Sequence, residues 1–280
     1  MIVKLWNCLQ LYGIIHAMFR ILFVSFVALL LLVSSTSVLA QKPEDPGTSN
    51  VPEINGDYPD PDHPGVRVRV FAHPADRQGK PQVEPAALVC TEDPNSSAFV
   101  SWTGWKLPSG DWTYNLNPSS VPGTVGPNNL PTITTNGFNA WQNPLASSSS
   151  KPTPVKGSDT IVNRSFYDGQ NIIAWNKIQA TALGITYVRY YTASGIVVDV
   201  DTIMNKKYRW NWSGGELCAV SNAYDAQNIL IHELGHWYGL DDEYESAYVN
   251  NTMFGYGSLG ETLKNTPTTG DINGVRAIYP

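Results

Sequence analysis

The hydrophobic pattern along the chain changes period several times, and each change predicts a different element. Ile21–Val33 is an almost unbroken apolar run behind Arg20, followed by Ser34–Ala40 with small residues at Val38 and Ala40. It is shorter than the roughly 20 residues that span a bilayer and has the charged front and small-residue end of an export leader. Cleavage after Ala40 is expected, with Met18 an alternative start. Residues 41–66 are proline-rich with almost no apolar periodicity and read as a linker or pro-segment outside any core. Val66–Phe71 alternates apolar and basic residues and predicts an exposed strand. Residues 67–108 form a β-like segment, and its Trp102 and Trp105 lie close in sequence to Trp112, a pattern of core packing more than of a sugar platform.

From residue 109 the pattern sharpens. Residues 112–117 alternate as a strand. Residues 130–141 carry apolar positions at helical spacing, with Asn129 as cap and Pro131 in the first turn. Residues 143–158 are rich in Ser, Pro and Lys and read as a surface loop. Strands are expected at 160–166, 171–175, 185–191 and 195–204, the last with Asp199 and Asp201 on one face. Residues 225–239, DAQNILIHELGHWYG, predict a helix capped by Asp225 and stopped by Gly239.

Composition narrows what such a chain does. Only 15% of its 280 residues are charged and the net charge is −6, which disfavours a nucleic-acid partner. Aromatic residues make up 11%, enough to fill a core. Loss of the leader removes Lys4, Arg20 and Cys8 and leaves a secreted, acidic chain without a membrane segment. It retains Cys90 and Cys218, which in an oxidising compartment most simply form one disulfide. Four histidines remain, His63, His73, His232 and His236.

Two of these carry chemistry. His232 and His236 stand four apart, on one face of the predicted helix, where two imidazoles reach one zinc ion. Glu233 lies beside the first and suits the role of base toward a metal-activated water. Three residues after His236 comes Gly239, and three later Asp242, so a reversal at the glycine would return a carboxylate to the same metal. Asp242 also has Asp241, Glu243 and Glu245 as neighbours. A solvated acidic turn, or a structural calcium site made from these carboxylates, is the competing reading.

The string His232-Glu233-Leu234-Gly235-His236 through Gly239 to Asp242 resembles the HExxHxxGxxD signature of metzincin zinc peptidases, most closely matrixin-like and snapalysin-like members. The resemblance covers about residues 109–280. It implies an α+β fold with a twisted, mostly parallel five-stranded sheet and the active-site helix. A small C-terminal subdomain would hold a methionine turn at Asn251–Gly255, with Met253 as the family methionine, and a final helix near Thr269–Tyr279. The edge strand that receives substrate would lie within Ala182–Tyr191. Zinc would be held by His232, His236 and Asp242, with Glu233 catalytic and a polypeptide as substrate of a monomeric enzyme. Cys90 sits in LVCTEDP, unlike the family's inhibitory PRCGxPD setting, and Gly255 stands where some members have a tyrosine, with Tyr256 one residue later. An exported binding or adhesion protein that keeps an inactive form of this fold is the alternative, although such relatives typically lose the base or a ligand.

Overall fold

The computed structural model describes residues 51–75, 93–178, 181–215 and 222–280. The leader, Cys90 and Cys218 lie outside the described residues. Among the described residues no helix is long and apolar enough to cross a membrane.

The fold is α+β, built on one mixed sheet. Its strands are β1 (Gly56–Pro59), β2 (Val66–Pro74), β3 (Gly110–Leu116), β4 (Pro152–Lys156), β5 (Asn171–Asn176), β6 (Ala182–Tyr191) and β7 (Val197–Asn205). They lie in the order β1-β2-β6-β7-β5-β3-β4. The β7, β5, β3 and β4 pairings are parallel, and β1, β2, β6 and β7 pair antiparallel. The expected five strands are therefore seven, because residues 51–75 add β1 and β2 beyond β6. A two-stranded pair, β8 (Trp210–Asn211) and β9 (Tyr224–Asp225), leads into the second of the three α-helices found among the described residues. These are α1 (Leu130–Gln142), α2 (Ala226–Trp237) and α3 (Thr269–Ile278).

Several expectations are corrected. β2 is not exposed: Val68 and Val70 are fully buried between its two neighbours. Its arginines are tied down, Arg67 to Asp57 at 3.0 Å and Arg69 to Asp241 at 3.2 Å. Nor are residues 51–66 outside the core, since Val51 packs with Val68, Val70 and Ile185. The segment 143–158 contains β4, an edge strand, the position where Pro152 and Pro154 are tolerated for want of an N–H. The strand expected at 160–166 does not form. Its backbone is held by side chains instead, Asn117 donating to Val162 O, Asn176 to Asn163 O, and Phe166 N donating to Asp201. Asn129 does not cap α1. It is already helical and its amide donates to Val125 O, and a 3₁₀ turn over 127–129 opens the helix. Of the three tryptophans, Trp105 and Trp112 are core, whereas Trp102 is half exposed.

Helix α1 packs on α2 at Gly137, where a Cβ would stand 2.6 Å from Leu234 Cδ1, and Trp141 donates to Ile231 O at 2.9 Å. Helix α2 is tied to the sheet by Trp237, whose indole donates to Thr202 Oγ1 on β7. Helix α2 is thus clamped between α1 and the sheet, with every residue buried.

On the sheet's other side Arg189 gathers carboxylates: Asp199 at 2.8 Å, Asp201 at 3.3 Å and Asp60 at 3.5 Å. One guanidinium cannot neutralise three buried acids. Burial pushes Asp199 up to about 7 and Asp201 well above the carboxylate range, so the pair keeps a proton that the unfolded chain has lost. A carboxyl group whose folded pKa is raised stabilises the fold fully below the unfolded value of about 4, and that stabilisation is lost as pH climbs through the folded value. The unfolding free energy of Asp199→Asn relative to the natural chain should therefore shift in the variant's favour between pH 4 and 7. Denaturant titrations of both chains check this, and a difference that does not move with pH contradicts it.

Candidate metal centre

Helix α2 begins at Asp225, whose carboxylate accepts from Asn228 N at 2.9 Å. It ends at Gly239, which has a φ of +99°, and a Cβ there would lie 2.6 Å from Trp105 O. Only glycine accepts both conditions without strain. The reversal that follows brings Asp242 back over the helix: its Oδ1 is 3.1 Å from His232 Nε2 and 3.5 Å from His236 Nε2. The three side chains that the spacing nominated do converge.

Each imidazole is aimed by its other nitrogen. His232 Nδ1 is 2.8 Å from Thr252 O and His236 Nδ1 is 3.0 Å from Leu240 O. A carbonyl can only accept, so both Nδ1 atoms carry hydrogen and both Nε2 atoms present lone pairs inward. Those Nε2 atoms, with Asp242 Oδ1, are buried and make no hydrogen bond within the protein. Orphaned donors and acceptors of this kind cost free energy unless a ligand takes them. Imidazoles and a carboxylate suit a zinc ion in donor type; among the described residues the three whose ligand atoms all lie within 4.8 Å of one another are His73, His232 and Asp242, with His236 joined to them through Asp242 at 3.5 Å.

The electrostatics differ between the two imidazoles. Burial holds His232 down to about 4, so it stays neutral, as a ligand must. Burial opposes the charge of Asp242 as well, but the facing imidazoles outweigh it and keep its carboxyl well below the usual range. For His236 burial is outweighed by Asp242, and its pKa is raised. Asp241 pairs with Arg69, and Glu243 accepts from Ser101 N.

Glu233 lies against β6. Its Oε2 accepts from Thr186 Oγ1 at 2.6 Å, while Oε1 has no partner. Gly184 makes the room, since a Cβ there would be 2.8 Å from Oε1. Burial pushes Glu233 up to about 7.

Beneath the centre, Met253 is fully buried and approaches Gly235 so closely that a Cβ there would collide with its Sδ. The turn carrying it hangs from Asp271 at the start of α3. That carboxylate accepts from Thr252 N and Thr268 N at 2.8 Å and from Met253 N at 3.2 Å. Tyr256 packs its ring on Tyr244 and Phe254. Tyr244 in turn donates to Asp242 Oδ2 at 3.1 Å, orienting the carboxylate.

One residue beside this centre was not nominated by the spacing. His73, on β2, offers a nitrogen that lies within 4.8 Å of the ligand atoms of His232 and Asp242. Its distance in sequence hides it. The only hint is that the chain has so few histidines. Phe71, also on β2, stacks on His236 at 3.8 Å and 8°. No protein-family model matches this chain, and no curated protein matches it.

Asp271→Ala would leave three buried N–H groups without an acceptor. It should destabilise the protein by on the order of 3 kcal/mol, with Asp271→Asn intermediate. Chemical denaturation of the three chains measures this.

Proposed function

We propose that this chain is an exported zinc-dependent endopeptidase of the metzincin kind, acting on polypeptides. The observation that carries the reading is the buried convergence of His232 Nε2, His236 Nε2 and Asp242 Oδ1, each unpartnered, with the free Oε1 of Glu233 on the same helix. The sheet supports it. Within the seven-stranded sheet, β7, β5, β3 and β4 run parallel and β6 antiparallel, which is compatible with the mostly parallel sheet of this reading. The turn at Met253 and the helix α3 follow the ligands in the order the resemblance implies.

In this reading His232, His236 and Asp242 hold the ion. Zinc, when bound, supplies Lewis acidity toward a water and a peptide carbonyl. Glu233 Oε1 accepts a proton from that water as its oxygen joins the carbonyl carbon. Glu233 then delivers the proton to the amide nitrogen as the C–N bond breaks, giving a carboxylate and an amine. A carboxyl poised near neutrality by burial suits both transfers, and Thr186 keeps its second oxygen fixed so that Oε1 is the one that works. Met253 floors the site without ligating.

Elemental analysis after incubation with zinc should give one ion per chain. Asp242→Ala should weaken uptake at least tenfold, whereas Asp241→Ala should change it little. Glu233→Gln should keep the metal and lose at least a hundredfold in hydrolysis of a peptide library. Because His73 packs on the same ligands, hydrolysis is measured with Glu233 natural and replaced, in both the natural and the His73→Ala chains. Absence of stoichiometric zinc uptake overturns the reading.

A further inference from the structure

We infer that His73 is a fourth protein ligand of this centre and that β2 thereby holds it shut, so that the form described here is latent. The inference rests on the zinc-peptidase reading. A catalytic zinc keeps one position open for water or substrate. Here the chain itself supplies the group that fills it.

His73 is completely buried, and neither ring nitrogen has a hydrogen-bond partner. Two unpartnered nitrogens in the interior make a poor packing residue, since a phenylalanine or leucine would fill the space without desolvating polar atoms. The ring instead faces the ligands: its centroid is 3.9 Å from that of His232, at 76°. Gly257 allows this approach, because a Cβ there would lie 2.9 Å from His73 Nε2.

The backbone of β2 closes the site a second time. It pairs antiparallel along β6 from Val66 opposite Tyr191, and His73 stands opposite Gly184, the residue that makes room for Glu233 Oε1. The strand therefore runs alongside the residue against which the base packs. Phe71 covers His236, and Arg69 pairs with Asp241 beside the third ligand. Asn55, ahead of β1, donates to Tyr244 Oη, and Gly257 N donates to Pro74 O. If β2 left, β6 would become a sheet edge with free N–H and C=O groups. Such an edge accepts another extended peptide in the same position. Segment and substrate would then compete for one strand position and one metal position, and departure of β2 would open both.

The test uses the full chain loaded with cobalt(II) in place of zinc. With four protein ligands, the visible spectrum of the natural chain should be unchanged by millimolar azide. His73→Ala and His73→Gln should bind the metal, show an altered spectrum that azide shifts further, and hydrolyse peptides at least tenfold faster than the natural chain. X-ray absorption of the zinc-loaded natural chain should require three imidazoles, a result independent of how the variants fold. If azide already shifts the natural spectrum and only two imidazoles are needed, latency through His73 is overturned while the zinc reading stands. If the natural chain binds no metal, the zinc reading itself falls, and this inference with it.

Discussion

Polar side chains concentrated in a dry interior are the constraint on which this molecule turns. His73, His232, Glu233, His236 and Asp242 are all buried at one place, and each has an atom with no hydrogen-bond partner in the protein. Desolvating one such atom costs roughly 1–3 kcal/mol, so the cluster is the least favourable group of contacts in the interior when considered alone. The surrounding architecture holds that cluster together against its cost. Helix α2 is gripped by α1 and the sheet, the turn at Met253 hangs from Asp271, and carbonyls of Thr252 and Leu240 fix the two imidazoles.

The sheet joins the N-terminal segment to this centre. Strands β1 and β2 extend the edge that β6 would otherwise present, and Asp60 joins Arg189, Asp199 and Asp201 in a buried ion cluster. The segment is therefore anchored at two points, by charge on one face of the sheet and by Phe71 and His73 at the metal centre on the other. Apolar burial holds the segment as well, through Val66, Val68, Val70 and Phe71.

Local rules made much of the centre readable in the amino-acid order. A helix places residues four apart on one face, a glycine at positive φ stops it, and a fixed number of residues past the stop returns a side chain to that face. His232, His236, Gly239 and Asp242 are all related by such short-range geometry, and Glu233 follows from its place on the same helix. The strands at β3, β5, β6 and β7 and the helices at α1 and α2 were legible for the same reason: the period of burial is imposed by the element itself. Where the reading failed, the deciding partner was remote. Pro152–Lys156 becomes a strand because β3 offers it a parallel edge, and residues 160–166 do not because distant asparagines and Asp201 take their backbone groups.

His73 belongs to the second kind. Alternating valines and arginines correctly gave β2 its strand character, but no pattern within residues 66–74 could say that both its neighbours would be strands or that its arginines would find acids. The sequence by itself determined the spacing of His232, Glu233, His236 and Asp242, since this depends on the rise and turn of one helix and the φ of one glycine. Only the tertiary structure decided that a third imidazole, His73, 159 residues before His232, packs beside them. That contact depends on strand register across β2 and β6, and register is set by long-range pairing and by which face is buried, not by any local preference.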